Sequence, residues 1–299
     1  MCSLLWVAAA TAGEASPGRL VYAALGDSIA RGWGVHGPVP GPKKDSCGNV
    51  LPPPAPPFDL SRWDAPERAY PARLARLIAT STHVSVELDN LACSGETTKQ
   101  LLGRDSARLA EVEARKPDVV TVDTGADDLL WSCGIWRAAW KFVTGLADPE
   151  NVTVLVSDEA RGLHSRLFGG CSDAKVAAGL ASVARNLPLI LSELASHTRA
   201  QIFVATYYDS TGSRADRVVE RRLNRAIEQA VAAAGPRVHL VPGAEQAFAA
   251  HDCRAPRPQR WMLVWDICLH PNDAGQQALA RIFYDRIAPF LPRHAAGSR

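Results

Sequence analysis

Two side chains far apart in the sequence have the types needed for nucleophilic catalysis. Ser28 follows a short apolar run and Gly26, and His270 lies between Cys268 and Pro271. A serine hydroxyl becomes a nucleophile when a neighbouring imidazole accepts its proton. Each residue also has a structural interpretation, because serine often caps a helix and a single histidine near a helix start is more often structural. The pair matters only if the fold brings both side chains together.

The elements between these residues determine whether they can meet. Five short apolar segments alternate with segments of helical periodicity, which predicts a parallel β-sheet covered by helices on both faces. The predicted strands are 20–25, 84–88, 118–123, 201–206 and 237–241, and the predicted helices are 71–79, 97–115, 173–196 with a kink at Pro188, 214–234 and a last helix from about 272. Ligands of open parallel sheets bind at the carboxyl ends of the strands. Ser28, Gly95 and Asp127 each follow one of the first three strands, so we expect the site there.

The composition favours one large globular domain. The 299 residues are 47% hydrophobic and 21% charged, and a body of this size buries about three quarters of its unfolded surface. We expect residues 1–18 to be a signal-peptide remnant or a tail, 19–292 to form the domain, 35–66 to be a Pro/Gly-rich loop within it, 131–172 to be an insertion, and 293–299 to be a second tail. No basic residue precedes the apolar run at 4–10, so a frayed tail or first helix is the alternative to the signal peptide.

Charge and hydropathy exclude two classes of partner. Lys and Arg total 33 against 31 Asp and Glu, a formal net charge of +2, and no basic tract is longer than two residues. Nucleic acid is therefore not expected as a partner. The chain also lacks an uninterrupted run of eighteen apolar residues, so we expect no integral membrane segment.

The seven cysteines argue for disulfides rather than a metal. They form no CxxC and no Cys/His cluster with zinc-ligand spacing, so no metal site is expected. Six cysteines remain when Cys2 is set aside, and six allow fifteen pairings. The simplest pairing is 47–93, 133–171 and 253–268. Three bridges would place the protein in an oxidising compartment, whereas buried free thiols in a cytosolic enzyme are the alternative.

Four segments, taken in order, resemble the SGNH hydrolases, the GDSL-type esterases and lipases. They are GDSIARG at 26–32, ACSG at 92–95, GADD at 125–128 and HPN at 270–272. The resemblance runs from about residue 20 to residue 290. It implies an α/β fold, the three-layer α/β/α, flavodoxin-like SGNH hydrolase fold with a five-stranded parallel sheet.

The resemblance also implies a reaction and a role for each site residue. Ser28 would attack an ester carbonyl, His270 would act as general base and then general acid, and Asp266 would orient the imidazole. The backbone N–H groups of Ser28 and Gly95, with the residue at position 127, would form the oxyanion hole. No cofactor is implied. The expected protein is a secreted, monomeric serine esterase acting on small-molecule, lipid or polysaccharide esters.

Two positions depart from the family pattern. The third block normally supplies an asparagine where this chain has Asp127, and an ionised carboxylate has no proton to donate to an oxyanion. Asp127 is therefore protonated beside Asp128, or points away, or the activity is weak or specialised. The acid normally stands three residues before the histidine, where this chain has Ile267; Asp266 stands four before. A backbone carbonyl could orient His270 instead.

Two alternative functions follow from these departures and from the acyl-enzyme intermediate that esterases and acyltransferases share. An acyltransferase would use the same intermediate with a hydroxyl acceptor in place of water. A catalytically degraded member would serve only as a binding protein. Trp131, Trp136 and Trp140 could line an acyl or sugar site, although their spacing equally fits one side of a helix.

Overall fold

The computed structural model describes residues 18–33, 35, 64–103, 107–134, 171–263 and 269–292. Within these ranges five strands form one parallel sheet in the order β2-β1-β3-β4-β5. The strands are β1 Arg19–Gly26, β2 Ser85–Asn90, β3 Val119–Asp123, β4 Gln201–Ala205 and β5 Val238–Val241. The predicted parallel α/β fold is confirmed, and every strand boundary lies within two residues of the predicted one.

Helices cover the sheet in two groups. They are α1 Ser28–Arg31, α2 Tyr70–Thr82, α3 Thr98–Leu102, α4 Arg108–Arg115, α5 Ala126–Ser132, α6 Asp173–His197, α7 Arg214–Ala233, α8 Ala244–Phe248 and α9 Asp273–Ile287. Helices α2 and α9 pack against each other, and α6 packs against α3, α4, α5 and α7. Right-handed crossovers from this strand order put the two groups on opposite faces, which gives the three layers.

One predicted helix is wrong and two short helices were not predicted. The single helix expected over 97–115 is two helices, because α3 ends at Gly103, whose backbone is extended (φ −64°, ψ 150°). Helices α5 and α8 are short, and α5 begins inside the loop that follows β3. Helix α6 runs through Pro188 without ending there.

Helix α6 is long and apolar enough, by length and composition alone, to cross a membrane. Its buried side, however, packs into the hydrophobic core through Val183, Leu187 and Ile190. Pro188 and Asn186 also lie within it, and Asn186 donates hydrogen bonds to Thr98 and Ser182. Its apolar composition is therefore explained by packing over the sheet.

The disulfide predictions are confirmed in part. Cys133 and Cys171 are bonded to each other. Cys93 and Cys253 are also disulfide-bonded, while their predicted partners Cys47 and Cys268 lie outside the described residues. The two terminal tails and most of the 35–66 and 131–172 segments lie outside the described residues as well, so the domain boundaries stay predictions.

Candidate active site

The fold brings Ser28 and His270 into direct contact. Ser28 Oγ lies 2.6 Å from His270 Nε2, although 242 residues separate them in the sequence. Each residue is only 6% exposed. A hydroxyl and an imidazole nitrogen at this distance share a hydrogen bond through which the serine proton can move to the ring.

Close packing at the end of β1 positions the serine. Asp27 caps α1, because its Oδ1 accepts the Ile29 N–H at 2.9 Å. Gly26 is required here, since a Cβ at this position would lie 2.6 Å from the carbonyl oxygen of Asp123. Ser28 therefore stands on a tight strand-to-helix turn, held against the neighbouring strand β3.

The histidine is fixed by the start of α9. Asn272 caps that helix by accepting the N–H groups of Ala274 and Gly275, and its own amide donates to the Arg260 carbonyl at 2.8 Å. One turn into α9, the buried Gln276 donates to the Ile29 carbonyl at 3.0 Å. The same amide accepts the N–H of Tyr70 at 2.7 Å, so one side chain ties α9 to both α1 and α2.

Two buried carboxyl groups and a tyrosine lie next to Ser28. The Tyr207 hydroxyl donates to Asp27 Oδ2 at 2.7 Å, and Asp123 is buried close to the same carboxylate. Burial, and then the charge of Asp27, hold the pKa of Asp123 well above its ordinary range. Burial also raises the pKa of Asp27, against the opposing effects of its Ile29 and Tyr207 hydrogen bonds and of His270. We infer that Asp123 holds the proton and Asp27 carries the charge, because Asp27 accepts two hydrogen bonds.

A second carboxylate joins the nucleophile turn to the loop after β2. Asp64 accepts a hydrogen bond from the Ser94 hydroxyl at 2.8 Å and from Arg31 Nε at 3.2 Å. Burial raises the pKa of Asp64 to about 6, while Arg31, Ser94 and His270 oppose that rise. His270 thus lowers the pKa of both Asp27 and Asp64, which shows that the two carboxyl groups lie within electrostatic reach of the imidazole.

The loop that carries Gly95 is held on several sides. Gly95 has φ +83°, a conformation that glycine adopts without strain, and its carbonyl accepts the Trp131 indole N–H at 3.1 Å. Thr98 donates its backbone N–H and its hydroxyl to the two oxygens of Asp128, both at 2.8 Å. The buried Glu96 pairs with Arg108. The second and third sequence blocks are therefore joined through Trp131 and Asp128.

Asp127 lies beside the serine in a small cavity. The cavity has a volume of about 100 Å³, and Ser28, Asp127 and His270 all line it. Asp127 is 1% exposed, in the first turn of α5. The structure thus brings together three of the five predicted site residues around one cavity. Gly95 lies on the adjoining loop, and Asp266 lies outside the described residues.

Sequence reasoning missed Asp64, Asp123 and Tyr207. Tyr207 follows β4 at the same carboxyl edge as Ser28, and its place directly after a predicted strand is the signal that could have identified it. Asp123 is the last residue of β3, where its buried side chain gives no periodic signal. Asp64 carries no pattern that links it to Ser94, thirty residues away.

One group of side chains among the described residues could share a cation. Glu113, Glu193 and His197 offer ligand atoms within 4.8 Å of one another. They are at least partly exposed, and two of them border a cavity with the amino-terminal residue of β1, at the edge of the sheet opposite Ser28. The group takes no part in the candidate active site.

Comparison with known proteins agrees with this architecture. The strand order is that of a flavodoxin-like sheet, and Ser28 and His270 meet at its carboxyl edge, where open parallel sheets bind ligands. Residues 24–278 match the GDSL-like lipase/acylhydrolase family. The chain belongs to that family, and it is therefore a carboxylic ester hydrolase by class.

Solved structures share the fold at low sequence identity. A lipase/acylhydrolase from Enterococcus faecalis is 17% identical, covering 93% of this chain and 100% of that one, with a TM-score of 0.51. The lipase Lip_vut3 from a goat rumen metagenome is 17% identical over 89% and 96%, with a TM-score of 0.52. A family two carbohydrate esterase from Clostridium thermocellum, in complex with cellohexaose, is 14% identical over 94% and 67%, with a TM-score of 0.51. None of the curated protein sequences matches this chain significantly.

Proposed function

We propose that this protein is a secreted serine esterase that hydrolyses carboxylic esters through an acyl-enzyme on Ser28. The observation that carries the proposal is the 2.6 Å contact between Ser28 Oγ and His270 Nε2. As Oγ attacks the ester carbonyl, its proton passes to Nε2 and the carbonyl becomes an oxyanion. His270 then returns the proton to the leaving alcohol, and water resolves the acyl-enzyme by the same two steps.

Backbone N–H groups of Ser28 and Gly95 are the proposed oxyanion donors. Each preorganised donor contributes about 3–4 kcal/mol to lowering the barrier. The links that hold the Gly95 loop, Trp131 to the Gly95 carbonyl and Asp64 to the Ser94 hydroxyl, support this role because they immobilise the peptide units on either side of Gly95. Asp266 stays the proposed orienting acid, and the charges of Asp27 and Asp64 provide further stabilisation of the protonated imidazole.

A panel of p-nitrophenyl esters from acetate to longer acyl chains tests the reaction. Purified wild type and Ser28→Ala are compared at equal concentration, with thermal unfolding as the check on folding. We expect Ser28→Ala to lose at least about a thousandfold in kcat/KM. Equal background rates from both proteins would contradict the esterase proposal and favour a binding protein. Product analysis with an added sugar or alcohol acceptor distinguishes hydrolysis from acyl transfer.

Secretion is proposed from the cysteines. At least four of the seven are disulfide-bonded, and disulfides persist in oxidising compartments. A free-thiol titration of denatured, non-reduced protein tests the predicted three bridges. It should find one thiol or none, whereas six or seven would contradict export.

A further inference from the structure

The wall of the catalytic cavity that faces helix α7 is acidic. Asp209, Asp216 and Glu220 line the cavity together with Ser28 and His270. Among the described residues that form the cavity, no lysine or arginine is present. Asp216 and Glu220 are four residues apart on α7, so both lie on the helix face that covers the cavity.

Only part of this acidity is neutralised by the protein. Asp209 pairs with Arg217 at 3.1 Å and accepts the N–H groups of Thr211 and Gly212. Asp216 Oδ2 accepts the Thr211 hydroxyl at 2.6 Å, and Glu220 Oε1 accepts the Asn224 amide at 2.7 Å. The second oxygen of each, Asp216 Oδ1 and Glu220 Oε2, is buried and has no hydrogen-bond partner among the residues described.

Buried carboxylate oxygens without donors are costly. Asp216 is 7% exposed and Glu220 is 8% exposed, and an unsatisfied buried acceptor costs about 1–3 kcal/mol, more when it is charged. Burial, and then the charges of Glu245 and Asp209, raise the pKa of Glu220 to about 8. A cationic donor in the cavity would offset both costs, because it supplies N–H groups and positive charge.

Aromatic rings complete the lining. Tyr207 and Tyr208 also line the cavity, and they directly precede Asp209 in the sequence. Aromatic faces beside carboxylates are the surroundings that proteins use to bind ammonium groups. We propose that this cavity selects esters that carry an ammonium group, bound by Asp216 and Glu220 while the ester carbonyl meets Ser28. This inference rests on the proposed esterase function and names its substrate class.

Matched ester pairs test the charge preference directly. On the acyl side, p-nitrophenyl β-alaninate is compared with the butyrate, and the 6-aminohexanoate with the heptanoate; each pair exchanges an ammonium for a methyl group. On the alcohol side, acetylcholine is compared with its neutral isostere 3,3-dimethylbutyl acetate. Rates are divided by those of alkaline hydrolysis to remove intrinsic reactivity. In the acyl pairs, the alcohol pair or both, we expect kcat/KM to be about tenfold or more higher for the cationic ester than for its neutral partner. A tenfold preference needs only a modest part of the attraction between opposite charges in a partly buried site.

Isosteric variants assign the preference to the wall. Glu220→Gln and Asp216→Asn should each reduce the ratio of the cationic to the neutral rate by about tenfold, whereas a merely structural role would slow both members of a pair alike and leave that ratio unchanged. Glu228→Gln, an exposed position on the same helix, is the matched control and should change neither rate. Neutral esters that are hydrolysed as well as their cationic partners would overturn the inference while leaving the esterase proposal intact.

A binding measurement keeps the test independent of catalysis. The amide 6-aminohexanamide should raise the melting temperature of wild type more than heptanamide does, and Glu220→Gln should remove the difference. If no ester were hydrolysed, this shift would still decide the matter: its presence supports the ammonium site without the esterase, and its absence contradicts the site.

Discussion

The two edges of the sheet carry cavities of opposite character. At the carboxyl edge a cavity of about 100 Å³ is lined by buried side chains, including Ser28 and His270. At the amino edge a cavity of about 800 Å³ is lined by largely solvated groups such as Arg19 and His197, and His197 pairs with Glu113 at 3.3 Å. We propose the smaller cavity as the catalytic one, because desolvated polar groups interact strongly while exposed ion pairs contribute little.

The contrast between the two cavities predicts the largest effect for removal of the His270 imidazole. His270→Ala deletes the general base and should lower kcat/KM for p-nitrophenyl acetate by about 10³-fold or more. The melting temperature measured alongside separates this loss from unfolding. Activity within tenfold of wild type in a folded variant would mean that another group activates Ser28. It would contradict the proposed catalytic role of His270.

The second test uses the buried carboxylate Asp64. Its pKa is raised to about 6, whereas an unfolded aspartate titrates near 3.9. Between these values the folded chain holds more protons than the unfolded one, so this group's contribution to the free energy of unfolding falls as pH rises from about 4 to about 6. Over the whole titration, this contribution to the free energy of unfolding falls by about 3 kcal/mol.

Urea unfolding of wild type and Asp64→Asn at pH 4, 5, 6 and 7 measures how the titration of Asp64 changes the free energy of unfolding. The variant also loses hydrogen bonds to Ser94 and Arg31, which shifts its free energy of unfolding by a constant amount. Only the titration of Asp64 makes the difference between the two proteins change with pH. The stability of wild type relative to the variant should therefore decline by about 2–3 kcal/mol across the range and then level off. A difference that stays constant with pH contradicts a raised pKa at this site.

The third test concerns Asp127, the departure from the family's asparagine. Asp127→Asn supplies an N–H donor at a position where loss of one donor costs about 10²–10³ in turnover. We expect kcat on p-nitrophenyl acetate to be unchanged or raised by up to about tenfold. Asp128→Asn is the matched control for loss of an acid nearby; it weakens the hydrogen bonds to Thr98 and should not raise activity. A tenfold fall in a folded Asp127→Asn would give the carboxylate a positive role.

The smallest effect is expected at the opposite edge. His197→Gln removes the exposed pairs with Glu113 and Glu193. Such pairs contribute about 0–1 kcal/mol, so the free energy of unfolding should change by less than about 0.5 kcal/mol and ester hydrolysis should stay within about twofold. Chemical denaturation and the p-nitrophenyl assay measure both. A large loss of activity here would show that the two edges are coupled.

The same contrast explains what the sequence could predict. The strands were predictable because short apolar runs bury on both faces of a parallel sheet, and Ser28 and His270 because they fall in recognisable blocks. The break at Gly103 was missed since the apolar spacing continues on both sides of it. Asp64 and Tyr207 were missed because their partners, Ser94 and Asp27, are distant in the chain, and only tertiary packing brings them together.

The separation of Ser28 and His270 by 242 residues has a consequence for biosynthesis. Ser28, the proposed nucleophile, is synthesised before β2, but His270, its proposed proton acceptor, emerges from the ribosome only after the fifth strand is complete. Gln276 then secures α9 to α1 and α2. Ser28 therefore has no imidazole partner while the five strands are being synthesised, and the proposed catalytic pair forms only when α9 packs against α1 and α2.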